Sequence, residues 1–176
     1  MRLDQAGYNF IAKKEGFCSK PYPDSVGVAT IGHGTIRYPN GVKVTLKDKP
    51  INEATAMQYL KHYADDFAVK VYKYVGNIEQ NKFNALVSFT YNLGVKPKFL
   101  NFVAVNPNNP SIADYFKKFV WGGGKKIQGL MTRREDEVMI YFQKKKFRPV
   151  RLWKPNTNFW SNFFSYKNPE NKKFTT

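Results

Sequence analysis

Thirteen acidic residues occur in this chain of 176, and two of them sit where a carboxyl group could do more than solvate a surface. Glu15 ends a stretch with helical spacing, and Gly16 follows it immediately. A helix C-terminus is the negative end of the macrodipole, which disfavours ionisation of a carboxyl placed there. A carboxyl that keeps its proton near neutral pH is what a general acid requires. Asp24 lies nine residues on, in a turn between Pro23 and Gly27, where a carboxylate stays solvated and ionised. Thr30 comes six residues later, on a strand beside Gly32 and Gly34, whose missing side chains leave room for a bulky ligand. One carboxyl pushed toward neutrality and one left ionised is the division of labour used in glycoside hydrolysis. Taken singly, a solvated helix end accounts for Glu15 and a turn-making Asp accounts for Asp24. The spacing of the set carries the chemical reading.

The elements that must position these residues follow from the pattern. Leu3, Gly7, Phe10 and Ile11 recur at helical spacing and Asp4 can cap, which predicts a first helix over 4–15. From 20 to 47, Pro and Gly punctuate short β-type runs, and Asn40-Gly41 signals a hairpin turn. Val42, Val44 and Leu46 alternate with polar residues, so a small antiparallel sheet of about three strands is expected. Asn52 opens a long helix whose apolar residues run from Met57 to Val75, ended by Gly76. Further helices fit 79–93, with Phe83, Leu86 and Phe89 as core, then 111–120 and 130–146. The expected fold class is α+β. A small antiparallel sheet lobe and a larger helical lobe are joined by the long helix, with a ligand cleft between them.

Composition bounds the partners. The net charge is +16, from 29 Lys+Arg against 13 Asp+Glu, which calls for a polyanion: nucleic acid, an anionic membrane or an anionic cell wall. Lysine outnumbers arginine 23 to 6. Nucleic-acid readers lean on arginine forks, so nucleic acid is not expected. One cysteine excludes an intrachain disulfide, two histidines argue against a metal site, and no cofactor is expected. No apolar run reaches the roughly 18 residues of a membrane span. The N-terminus lacks an apolar signal region.

The stretch Glu15-Gly16 and then Tyr22-Pro23-Asp24-Ser25-Val26-Gly27-Val28-Ala29-Thr30-Ile31-Gly32-His33-Gly34 resembles the phage-type lysozymes (endolysins) of glycoside hydrolase family 24. Three later blocks are similar to that family as well: Phe83-Asn84-Ala85-Leu86 running to Asn92-Leu93-Gly94, Trp121 with Gly123-Gly124-Lys125, and Gly129-Leu130-Met131-Thr132-Arg133-Arg134-Glu135. The resemblance implies a lysozyme-like fold over residues 1–147. It also implies hydrolysis of the β-1,4 bond between N-acetylmuramic acid and N-acetylglucosamine in peptidoglycan, leading to host lysis. Glu15 is then the general acid, Asp24 stabilises the transition state and helps activate water, and Thr30 positions that water. The implied outcome is inversion, with the carboxyls about 6.5–9.5 Å apart. The resemblance assigns Arg133 to pair with the acid, and Tyr22, Gly32, His33, Asn92 and Gly94 to the sugar-binding surface. Such an enzyme is expected as a monomer in the host cytoplasm, reaching the wall once the membrane is permeabilised. A lytic transglycosylase, and a cationic membrane-active protein on the same scaffold, are the alternatives.

Other constellations carry less. Cys18 and His33 suggest a thiol–imidazole pair, but no third orienting group accompanies them. Gly122-Gly123-Gly124-Lys125-Lys126 lacks the spacing of a phosphate loop and reads as a flexible connection between helices. From 144 to 176, nine Lys/Arg face one acid, among Trp153, Phe159, Trp160, Phe163, Phe164, Tyr166 and Phe174. Residues 148–176 are expected as a basic aromatic extension packed on or near the helical lobe, with contact to anionic membrane or lipopolysaccharide as the sharper possibility.

Overall fold

The first helix, α1 (Gln5–Glu15), begins where Asp4 accepts the Gly7 N–H through Oδ1 at 2.9 Å. It stops at Gly16, whose φ of 73° suits glycine and whose N–H returns to the Ala12 carbonyl. In this computed structural model the described residues are 1–24 and 26–143, so the 148–176 extension and the end of the last predicted helix lie outside them. Two strands follow α1, β1 (Cys18–Pro23) and β2 (Ala29–Gly32). They pair antiparallel, with Tyr22 opposite Thr30 and an irregularity between Cys18 and Tyr22.

The third strand expected in this lobe is not formed. Only single bridges, Ile31 to Thr35 and Arg37 to Lys43, extend the sheet. Of the alternating residues Val44 is buried, while Val42 and Leu46 are more than half exposed. Among the described residues only Val44 of this set is covered, and side-chain bonds hold the segment. Asp48 accepts from the Tyr38 hydroxyl and from the Thr45 N–H and hydroxyl.

The long helix is α2 (Glu53–Val75), capped by Asn52 accepting from the Thr55 N–H. Its 23 residues reach about 34 Å, at about 1.5 Å each, from the sheet lobe into the helical lobe. It buries Ala56, Leu60, Ala64, Ala68, Val71 and Val75, one stripe at helical period. Helix α3 (Gln80–Leu93) is buried continuously from Lys82 to Thr90, the signature of a helix surrounded by others. It packs against α1, α2 and α6 (Gln128–Phe142). Phe83, Leu86 and Phe89 are fully buried in it. Gly7 lets α1 approach α3 closely, since a Cβ there would lie 2.8 Å from the Asn84 side chain.

Two further elements differ from expectation. A helix the sequence reading lacks, α4 (Pro97–Val105), starts on Pro97 and inserts Phe99, Leu100 and Val103 into the core. There Phe99 stacks on Tyr115 at 4.2 Å and meets Phe89 and Phe116 edge-on. Tyr115 and Phe116 belong to α5 (Ser111–Lys117), shorter than the predicted 111–120. The glycine-rich stretch is a small hairpin, β3 (Trp121–Gly122) against β4 (Lys125–Lys126), with Gly123 and Gly124 at positive φ in its turn.

Candidate active site

Glu15 occupies the last position of α1, half-buried, where the sheet lobe meets α6. Its Oε1 accepts a hydrogen bond from Arg133 on α6 at 2.7 Å. One residue back, Lys14 pairs with Asp136 on the same helix. Two consecutive side chains therefore fasten the end of α1 to α6. The other carboxylate oxygen, Oε2, lies on the side of Gly34, where a Cβ would stand 3.8 Å away.

Arg133 is itself held. Its Nε donates to Glu137 at 3.3 Å and its remaining nitrogen to the Ser88 carbonyl at 3.4 Å. Glu137 is fully buried one turn along α6 and also accepts from the Ser88 hydroxyl at 2.8 Å. Arg134, fully buried too, stands against Glu137 at 3.1 Å and lies over the Phe89 ring at 5.0 Å. It donates to the Asn92 side-chain oxygen at 2.8 Å. Burial pushes the Arg134 guanidinium down to about 10, so it keeps its charge at neutral pH. Burial pushes the Glu137 carboxyl up, against the two guanidiniums and the Ser88 hydroxyl that draw it down. A chain of opposite charges thus runs from Glu15 into the core, each guanidinium matched by a carboxylate.

Asp24 is mounted on the hairpin turn. Its Oδ1 accepts the N–H groups of Val26 at 2.9 Å and Val28 at 2.8 Å, so the side chain builds the turn that presents it. Thr30 is buried on β2, and its hydroxyl donates to the Val28 carbonyl at 3.0 Å. That bond spends the proton of Thr30 and leaves the oxygen to accept. Tyr22, opposite Thr30, has its hydroxyl pushed up by burial first and then by its neighbours Cys18, Asp24 and Glu15. Tyr91, which the sequence reading missed, has its hydroxyl raised by burial and then by Glu15, with Arg133 opposing. It sits three residues before Gly94, beside Asn92 on α3, and a tyrosine next to the matched Asn92 was the only available signal for it.

The other residues assigned to the sugar-binding surface lie on β2, on α3 and just after each. Gly32 is buried with φ +67°, and a Cβ on it would meet that of Ala56 at 2.9 Å. Ala56 of α2 packs against the space it leaves. His33 is 2% exposed and turns inward, its Nδ1 against the Gly16 carbonyl. Asn92 commits its side-chain oxygen to Arg134. Gly94 caps α3 with φ +73°. Cys18 gives its thiol to the Lys20 carbonyl and does not pair with His33. Among the described residues, no group of three or more His, Cys, Asp or Glu could hold a metal ion, and no helix is long and apolar enough to cross a membrane.

Comparison with known proteins converges on one family. The chain matches the phage lysozyme family over residues 12–137. It is 32% identical over 146 residues to an endolysin of Bacillus phage B103, covering 80% of this chain and 54% of that protein. The chain therefore spans about half the length of the first curated relatives it matches. A SAR-endolysin of Bacteriophage PS119 is 32% identical over 143 residues, 79% of this chain and 77% of its own. The solved endolysin from Escherichia coli O157:H7 phage FAHEc1 superposes with a TM-score of 0.72 at 33% identity, over 81% of this chain and 94% of that one. The family match opens three residues before Glu15 and closes on Glu137, enclosing every residue of the site; the chain belongs to the phage lysozyme family.

Proposed function

We propose that this protein degrades peptidoglycan as a muramidase, cutting the β-1,4 bond between N-acetylmuramic acid and N-acetylglucosamine. The observation that carries the reading is the 2.7 Å bond from Arg133 to Glu15 Oε1, with Oε2 on the side of Gly34, four residues after Thr30. Glu15 gives its proton to the glycosidic oxygen as the bond from that oxygen to the anomeric carbon breaks. Positive charge develops on the sugar, and the Asp24 carboxylate stabilises it. Water held by the Thr30 oxygen attacks the anomeric carbon from the opposite face and loses a proton to Asp24, so configuration inverts. Once Glu15 is ionised, Arg133 holds it in place for reprotonation.

The net charge of +16 supports enrichment at an anionic wall, weakened by added salt. In this reading the enzyme accumulates in the host cytoplasm and acts on the wall after the membrane is permeabilised. The test is mass spectrometry of soluble products from purified peptidoglycan, comparing wild type with Glu15→Gln. Reducing N-acetylmuramic acid ends should come from wild type, and the variant should fall by about 10²- to 10⁴-fold. Anhydro ends would replace hydrolysis by lytic transglycosylation and remove the water-activating role of Asp24. Lysis undiminished in Glu15→Gln would move the activity to a membrane-active cationic surface.

A further inference from the structure

We propose that His33 is a positioning residue for Glu15: its Nδ1–H holds the carbonyl of Gly16 and thereby fixes the helix end that presents the acid. The proposal rests on Glu15 being the acid of the reaction above. His33 fills the variable place in the Thr30-Ile31-Gly32-His33-Gly34 run, directly after β2. Burying an imidazole this completely is costly unless its nitrogens are bonded. A carbonyl oxygen can only accept, so Nδ1 carries the proton in the contact with Gly16. The Gly16 carbonyl lies just beyond the last turn of α1, where the helix supplies no partner of its own.

Packing alone does not hold the ring. On one side it meets Phe17, at 5.5 Å between centroids. It also borders a cavity of about 330 Å³, lined further by Asn9, Lys13, Glu53 and Met57. Nε2 is buried with no hydrogen-bond partner. A ring beside open volume, with one nitrogen unpartnered, keeps its orientation through the bond at the other nitrogen.

The consequence for the site is geometric. The carboxyl of Glu15 is fixed at Oε1 by Arg133 from α6, and its backbone is fixed one residue later by His33 from the sheet lobe. Gly34, next after His33, leaves the space beside Oε2 open. Thr30 is three residues before His33, on β2. The bond from His33 thus ties the helix end bearing the acid to the strand of the group that positions water, and displacement of about 1 Å at a reacting group can cost 10²-fold.

The test is a steady-state comparison of His33→Leu, His33→Gln and His33→Asn on soluble, uncrosslinked glycan strands, with the melting temperature of each. Asn places an amide N–H near the position of Nδ1, whereas Gln places it near Nε2 and Leu has none. Leu and Gln should lose about 10- to 100-fold in kcat with KM within about threefold, and Asn should stay within about fivefold of wild type. The proposal is overturned if Leu keeps the wild-type kcat, if Asn loses as much as Leu, or if the loss lies in KM. Should Leu fail to fold, the contrast of Gln with Asn decides alone. A readout independent of catalysis is the His33 Nδ1–H proton in the NMR spectrum. A slowly exchanging resonance supports the bond even if no product is released, and its absence overturns the proposal whatever the activity.

Discussion

The two carboxylates of the site are mounted by opposite means. Asp24 is held by neighbours two and four residues along the chain, through bonds that a short exposed turn makes for itself. Glu15 is held by an arginine 118 residues away, which is braced by a fully buried carboxylate and a carbonyl from a third helix. A local mount tolerates changes elsewhere in the fold, because its geometry depends only on the turn. A distant mount is exact only while the helical lobe is packed, so the acid reports on the integrity of α1, α3 and α6 together. The Asp24 mount is built within an exposed turn, whereas the Glu15 mount draws on the core.

The contrast is broken most strongly at Glu137. Glu137→Leu leaves the fully buried Arg134 without a carboxylate and Arg133 with Glu15 alone, so unfolding free energy should fall by about 3–5 kcal/mol. Product release should fall with it as Arg133 loses its brace, measured by denaturant titration beside the peptidoglycan assay. Equal stability of variant and wild type would mean that the charge chain does not support the acid. At the local mount the balance reverses. Asp24→Ala frees two N–H groups that water can reach, for about 0.5–1.5 kcal/mol, while activity should drop far more than stability. A variant that melts as early as Glu137→Leu would show the turn to be wired into the core.

The smallest effect belongs to a second locally held carboxylate. The Thr45 hydroxyl and N–H and the Tyr38 hydroxyl hold Asp48 below the usual 3.8. A lowered folded value means that these bonds stabilise the protein above pH 3.8 and that the contribution fades as pH falls through the folded value. Asp48→Asn should therefore lose its stability deficit relative to wild type below pH 3.8, in melting curves taken from neutral pH downward.

Much of this was legible in the chain because it is local. Asp4 and Asn52 cap their helices through bonds spanning three residues, and the stripe on α2 follows from helical period alone. Asp24, Thr30 and the hairpin between them were readable for the same reason. The third strand failed because alternation in Val42, Val44 and Leu46 records a preference for a half-buried surface, and no neighbouring strand supplies one. Helix α4 escaped because nine residues behind Pro97 carry too little period to stand out, and its stability comes from the aromatic cluster around Phe99.

The sequence by itself determined which residues could do chemistry, where α1, α2 and α3 begin and end, and which arginine should face Glu15. Tertiary structure alone decided which groups those side chains serve. It turned His33 to the Gly16 carbonyl, set Ala56 against Gly32, and drew Asn92 into the Arg134 network. The reason is physical: caps, turns and periods are set by bonds between residues a few positions apart. The partner of a buried polar group is set by whichever distant element comes within hydrogen-bond reach of it.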